Sequence, residues 1–247
     1  MKQIYTNIII FVIIIIIIYI TNIIFNITLQ ALSIKPTISN SLLLIWDIHC
    51  KLNVMNYLNN NNISYKLIEI SDIGFIFVVN TNYYCFMSKH PQEYSQINIL
   101  LNEIISIIKN NNLKSIISFS TGGSQQYAVG SVVQFTSAII ENPEQYSLNF
   151  NYIKSNNVLF KTDKYINKPI IDTKGFVSPS KGQIASGEDE FVAYIVSNNM
   201  NIPALTLTGI SDDGISDNAN VKEYDNGGGK LAAINTIDFF FETFQVL

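Results

Sequence analysis

Arginine is absent from this chain: all 15 of its basic residues are lysine. No planar guanidinium is therefore at hand to grip a phosphate through two parallel hydrogen bonds. Charge is scarce altogether, at 14% of residues, with a net charge of −4 and no lysine-rich block. That argues against a nucleic-acid binder, which needs a basic footprint. Histidine is limited to His49 and His90, and cysteine to Cys50 and Cys85. With no CxxC and no Cys/His cluster, a multi-histidine metal site is excluded and no metal or cofactor is expected. The two cysteines permit one disulfide if the chain is exported, or two free buried thiols. Hydrophobic residues make up 48% of the chain, yet only one run is long enough to span a bilayer, so a polytopic membrane protein is excluded as well.

That run is at the N-terminus. Lys2 is followed by Ile8 to Ile20, almost pure Ile, Val and Phe, and then by Ile23, Ile24 and Phe25. A positive start and a long apolar stretch are the pattern of a targeting segment. Ala31-Leu32-Ser33 offers small residues for cleavage. Residues 1–33 are therefore expected to be a cleaved signal peptide or an uncleaved signal anchor. The expected location is secreted or membrane-anchored, outside the cytoplasm. Asn26-Ile27-Thr28 and Asn62-Ile63-Ser64 are glycosylation sequons, but in so asparagine-rich a chain they add little.

Residues 34–247 are enough for one α/β domain with a full core. Ser41–Trp46 reads as a buried strand and Leu52–Leu58 as a short helix. Tyr65–Ile70, Gly74–Asn80 and Tyr83–Met87 read as strands. Gln92–Lys109 has the spacing of an amphipathic helix. Ser115–Phe119 and Gly130–Ile140 are strands, 141–165 a loop-rich insert, Glu190–Asn199 a helix, and Ala204–Thr208 a strand. Lys230–Phe244 is a closing helix with Leu231, Ile234, Ile237, Phe240, Phe241 and Phe244 on its apolar side. Strands alternating with helices predict an α/β fold with a parallel or mixed sheet.

Two segments carry candidate chemistry. Ile202-Pro203-Ala204-Leu205-Thr206-Leu207-Thr208-Gly209-Ile210-Ser211-Asp212 is a strand that delivers a Ser-Asp pair to its carboxyl end, where open α/β sheets bind ligands. A strand followed by an Asx turn explains the same pattern without function. Upstream, Ser115-Ile116-Ile117-Ser118-Phe119-Ser120 runs into Thr121-Gly122-Gly123-Ser124, and Tyr127-Ala128-Val129-Gly130-Ser131-Val132-Val133 follows. Glycine amides after a strand let an anion or a polarised water approach closely; a tight turn is the bland alternative.

The two segments, in this order, resemble the paired motifs of the nucleoside phosphorylase / methylthioadenosine nucleosidase superfamily. The resemblance spans roughly residues 40–247 and is good in the second half. It implies a three-layer α/β/α fold with a central mixed sheet, a nucleoside as small-molecule partner, water or phosphate as co-substrate, and assembly as a homo-oligomer. It implies that Asp212 contacts the purine as general acid, with Ser211 orienting it, and that Thr121, Gly122 and Gly123 face the nucleophile. A carboxyl can donate near neutral pH only if burial raises its pKa. The stretch Glu188-Asp189-Glu190-Phe191 aligns in two ways. One makes Phe191 a base-stacking residue. The other, preferred for its spacing to Asp212, makes Glu188 or Asp189 the carboxylate on the ribose, with Phe176-Val177 replacing the stacking segment. An acidic helix start favoured by the macrodipole accounts for some of these acids without function.

The N-terminal third departs from the family. Where the family places a water-activating glutamate, this chain has Trp46-Asp47-Ile48-His49-Cys50-Lys51, so Asp47 or His49 is the substitute base. Asn80-Thr81-Asn82-Tyr83-Tyr84 stands in for the glycine-rich turn. Phosphorolytic members hold phosphate with arginine; Lys51 supplies only a point charge. The expectation is a purine nucleosidase rather than a phosphorylase, exported or membrane-tethered. The alternative is a catalytically weakened nucleoside-binding or storage protein of the same fold.

Overall fold

The computed structural model describes residues 16–21, 23, 35–94, 96–124, 127–139, 143–146, 148–150, 152–154, 156–159, 173–176, 184–186, 189–212 and 227–246. The chain divides into two units, Met1–Pro36 and Thr37–Leu247. In the first, residues 16–21 are helical, and most of the expected targeting segment lies outside the described residues. Among the described residues, no helix is long and apolar enough to cross a membrane.

In the second unit, β1 (Thr37–Ile38) and β2 (Ser41–Ile45) lead into helix α1 (Ile48–Asn60). A meander of β3 (Lys66–Ser71), β4 (Gly74–Val79) and β5 (Asn82–Met87) precedes α2 (Ile97–Asn110). Then come β6 (Ser115–Ser124), β7 (Val132–Ile139) and three short strands, β8 (Tyr152–Lys154), β9 (Thr173–Phe176) and β10 (Ile184–Ser186). Helix α3 (Asp189–Met200), β11 (Ala204–Asp212), α4 (Gly229–Thr243) and β12 (Gln245–Val246) complete the order.

Ten strands form one sheet in the order β10-β9-β7-β11-β6-β2-β5-β4-β3, with β8 beside β7. The central four, β11, β6, β2 and β5, are mutually parallel, while β4 and β7 join them antiparallel. The sheet is therefore mixed. Strand alternation sorts the core into two layers. Leu42, Leu44 and Ile116 pack with residues of α2 and α3. Leu43, Ile45, Ile117, Leu205 and Leu207 pack on the other side with residues of α1 and α4. The result is the expected three-layer α/β/α fold.

Several boundaries differ from the sequence expectation. β6 does not turn at Thr121 but continues through Gly122 and Gly123, and β11 continues past Gly209 to Asp212. Each completes the other's ladder, Thr121 opposite Gly209 and Gly123 opposite Asp212, while β10 pairs on β6 with Ser186 opposite Gly122. Hydrogen-bond partners on both sides hold the glycines in a strand. Their backbone groups would otherwise be buried unpaired. Residues Pro91–Glu93 form a separate 3-10 turn, so the amphipathic helix starts later, at Ile97. Leu231, expected on the apolar side of α4, is exposed; the buried side carries Ala232, Ala233, Thr236 and Phe239 as well as the expected Ile237, Phe240 and Phe241.

Cys50 belongs to the α1/α4 layer and Cys85 to the α2/α3 layer. The sheet lies between them, and both are buried free thiols, which excludes the disulfide alternative. Every described non-glycine residue with positive φ is an asparagine: Asn40, Asn62, Asn80, Asn112 and Asn201, all at 51–54°.

Candidate functional site

Parallel strands that end on one edge bring distant residues together there. Here the ends of β2, β5, β6 and β11 supply Asp47, His90, Thr121 and Asp212. The start of α3 adds Asp189 and Glu190.

Asp47 caps α1. Its Oδ1 accepts the backbone N–H of His49 at 2.7 Å and of Cys50 at 3.3 Å, and its Oδ2 accepts the Thr121 hydroxyl at 3.1 Å. The cap satisfies orphan amides of the first turn and ties the end of β2 to β6. His49 enters this arrangement through its backbone. Lys51, one turn into α1, donates its Nζ to the Met87 carbonyl at 2.6 Å. Burial lowers the Lys51 pKa, against the attraction of Asp47 and Asp189.

Asp189 is 1% exposed, and its Oδ1 lies 3.1 Å from Nδ1 of His90. Burial raises the carboxyl's pKa and the histidine opposes that shift. His90 in turn is raised above its usual value, first by the hydrogen bond to Asp189, with burial acting the other way. The His90 ring stacks on the indole of Trp46 at 6.4 Å between centroids and 23° between planes. Trp46 is itself fixed by its Nε1–H, which donates to Ser118 Oγ at 2.9 Å.

Ser211 donates its hydroxyl to Asp212 Oδ2 at 2.6 Å, and the same Oγ lies 3.2 Å from the Gly122 carbonyl. Asp212 is 8% exposed. The Ser-Asp pair therefore sits against the Gly122-Gly123 segment, and the two sequence motifs meet in space.

Some candidates fall elsewhere. Phe191 is buried in the α2/α3 core layer. Glu188 and Val177 lie outside the described residues. Asn80 forms the β4–β5 turn, at the opposite end of β5 from the site. The segment after β5, Ser88-Lys89-His90, is what reaches the site in its place.

Two participants were missed by sequence reasoning. One is His90. The other is Glu190, also 1% exposed, whose Oε1 accepts the hydroxyls of both Ser120 and Thr208. One turn along α3, the Tyr194 hydroxyl meets Thr206 Oγ1 at 2.9 Å. Residues four apart share a helix face, so this face of α3 docks on a row of strand hydroxyls. The signal was present as Ser118, Ser120, Thr206 and Thr208 at alternate positions of two otherwise apolar strands. Among the described residues, no group of three or more His, Cys, Asp or Glu is placed to hold a metal ion.

No protein-family model matches the chain, and neither does any curated protein sequence. Solved structures do. A putative 5′-methylthioadenosine/S-adenosylhomocysteine nucleosidase from Francisella philomiragia superposes with a TM-score of 0.61 at 14% identity, covering 83% of this chain and 98% of that one. A Helicobacter pylori nucleosidase mutant with 5′-methylthioadenosine in its active site gives 0.63 at 14% identity, covering 82% and 96%. Futalosine hydrolase of Helicobacter pylori gives 0.61 at 12% identity, also covering 82% and 96%. This chain carries the α/β fold of these two nucleosidases and of the futalosine hydrolase in a divergent sequence.

Proposed function

We propose that the protein hydrolyses the N-glycosidic bond of a purine nucleoside. The observation that carries this reading is the Ser211–Asp212 pair, seated against Gly122 at the carboxyl ends of parallel strands. Breaking the bond requires a proton or donor at the leaving base, a grip on the ribose as it gains oxocarbenium character, and a nucleophile at the anomeric carbon. Asp212 serves the base, oriented by Ser211. Asp189, acting through His90, and Thr121 serve the sugar and nucleophile side.

Water is the favoured nucleophile. The chain has no arginine. Lys51, near the start of α1, already donates to a carbonyl and sits among Asp47 and Asp189, whose charges repel phosphate. The nucleosidase neighbours support the same choice. The apolar N-terminal run supports export or membrane tethering of the domain, and the family resemblance supports a homo-oligomer.

The test is release of free base by the full chain from adenosine, inosine, methylthioadenosine and uridine, with and without phosphate. Release without phosphate, abolished in Asp212→Asn with folding intact, is the expected result. Unchanged activity in that variant removes Asp212 from the mechanism. No release from any nucleoside by the folded protein favours the binding or storage alternative.

A further inference from the structure

His90 and Asp189 form an ion pair, and its two members are placed very unequally. The Asp189 side chain is 2% exposed and the His90 side chain 40%. The imidazole is therefore the member that reaches outward. It is also held in place. Asp189 fixes Nδ1, the Trp46 indole covers one face, and the His90 backbone N–H is anchored on Glu93 Oε1 at 2.9 Å. When Nδ1–H is donated to Asp189, the neutral ring presents the Nε2 lone pair on its other side. A buried carboxylate that orients a more exposed imidazole is the usual construction of a general base.

We propose that His90 is the general base that activates the hydrolytic water, with Asp189 as its positioning residue. This rests on the nucleosidase reading above. In the step, water loses a proton to His90 Nε2 and its oxygen bonds to the anomeric carbon. The C–N bond breaks with its electron pair going to the base, which takes a proton from the Asp212 carboxyl. The products are the free base and the free sugar, and both side chains return to their starting states by exchange with solvent. Asp47, the alternative base, has three donors on its two oxygens and serves the fold. His49 supplies that cap with its backbone.

The charged groups facing His90 are Asp189 from α3, Glu93 from the 3-10 turn and Asp47 from the start of α1, all of which favour the imidazolium. Lys51 faces the same two aspartates. The base form is therefore populated only above a pKa that is itself higher than the ordinary 6.5. Activity must fall as the pH drops through that value.

The experiment is base release from methylthioadenosine and adenosine by the full chain between pH 5 and 9, for wild type, His90→Gln and Asp189→Asn. Fluorescence of Trp46, the only tryptophan, is followed over the same range, because an imidazolium quenches a stacked indole more than neutral imidazole does. The expected result is an acid limb in wild-type kcat/KM that matches the fluorescence midpoint. His90→Gln loses roughly a hundredfold or more in kcat, with KM little changed, and added imidazole restores part of it. Asp189→Asn moves the limb and the midpoint to lower pH. Full activity in His90→Gln overturns the proposal. So does wild-type activity that rises as the pH falls, which would make His90 an imidazolium clamp rather than a base. Failure of wild type to release any base overturns the nucleosidase reading and the base role with it. The fluorescence titration tells that outcome apart, since it reads the His90–Asp189 pair without any substrate.

Discussion

At Gly209 the sheet and α4 come into close contact. A methyl group built at that position would lie 2.4 Å from the Ala232 carbonyl oxygen and 2.6 Å from Thr236 Oγ1. The nearest obstruction is helix backbone, which cannot swing away as a long side chain can. Restoring ordinary contact requires α4 to retreat by about 1 Å. Overpacking of this kind costs about 1–3 kcal/mol, and a backbone clash belongs at the upper end. For a unit of this size each kcal/mol lowers Tm by about 2–4 °C, so Gly209→Ala is expected to lose roughly 6–12 °C. The assay is thermal unfolding followed by circular dichroism, with urea unfolding as a check on cooperativity. The same variant should lose activity beyond its loss of stability, because Asp212 lies on the same strand and moves with it. An unchanged midpoint would refute the reasoning, since it would mean that α4 is not seated on β11 through this glycine.

Two further predictions address the scaffold of the site. Asp47→Ala removes the α1 cap and the Thr121 contact together and should cost about 0.5–2 kcal/mol in urea unfolding, whereas Asp47→Asn, which can still cap, should recover most of it. Both thiols should be inert to a disulfide reagent in the native protein and both should react in denaturant, because burial pushes Cys85 up to about 12 and Cys50 well above its ordinary value; reaction of either thiol in the folded state would contradict the packing described.

The layers of the fold were legible because the core strands alternate cleanly. Leu42 and Leu44 go one way, Leu43 and Ile45 the other, and α2 repeats its apolar residues at helical spacing. The site was legible in part. Ser211–Asp212 and Gly122–Gly123 were chosen as separate motifs, and the parallel register then places them in contact. Glu190 was not legible because Ser120 and Thr208 read as ordinary β-formers; only alternation across two non-adjacent segments marks them as a polar face. His90 was not legible for a topological reason. Turn-forming residues flank β5 at both ends, and nothing local says which end shares an edge with the carboxyl ends of β2 and β6. Gly122 and Gly123 read as a turn because glycine breaks strands in isolation. Neighbours on both sides reverse that preference.

The five left-handed asparagines bear on how such a composition is tolerated at all. In this chain, rich in asparagine and isoleucine, asparagine stands at sharp reversals where glycine is the usual residue. Asparagine is the side chain that most readily takes over, because its short amide bonds to nearby backbone in that conformation. Each of the five sits at a corner between elements, a position that accepts asparagine. The corners of this fold are thus robust to exchange between the two residue types. A change at Asn62, Asn80 or Asn112 to a β-branched residue would be punished far more than the surface position alone suggests.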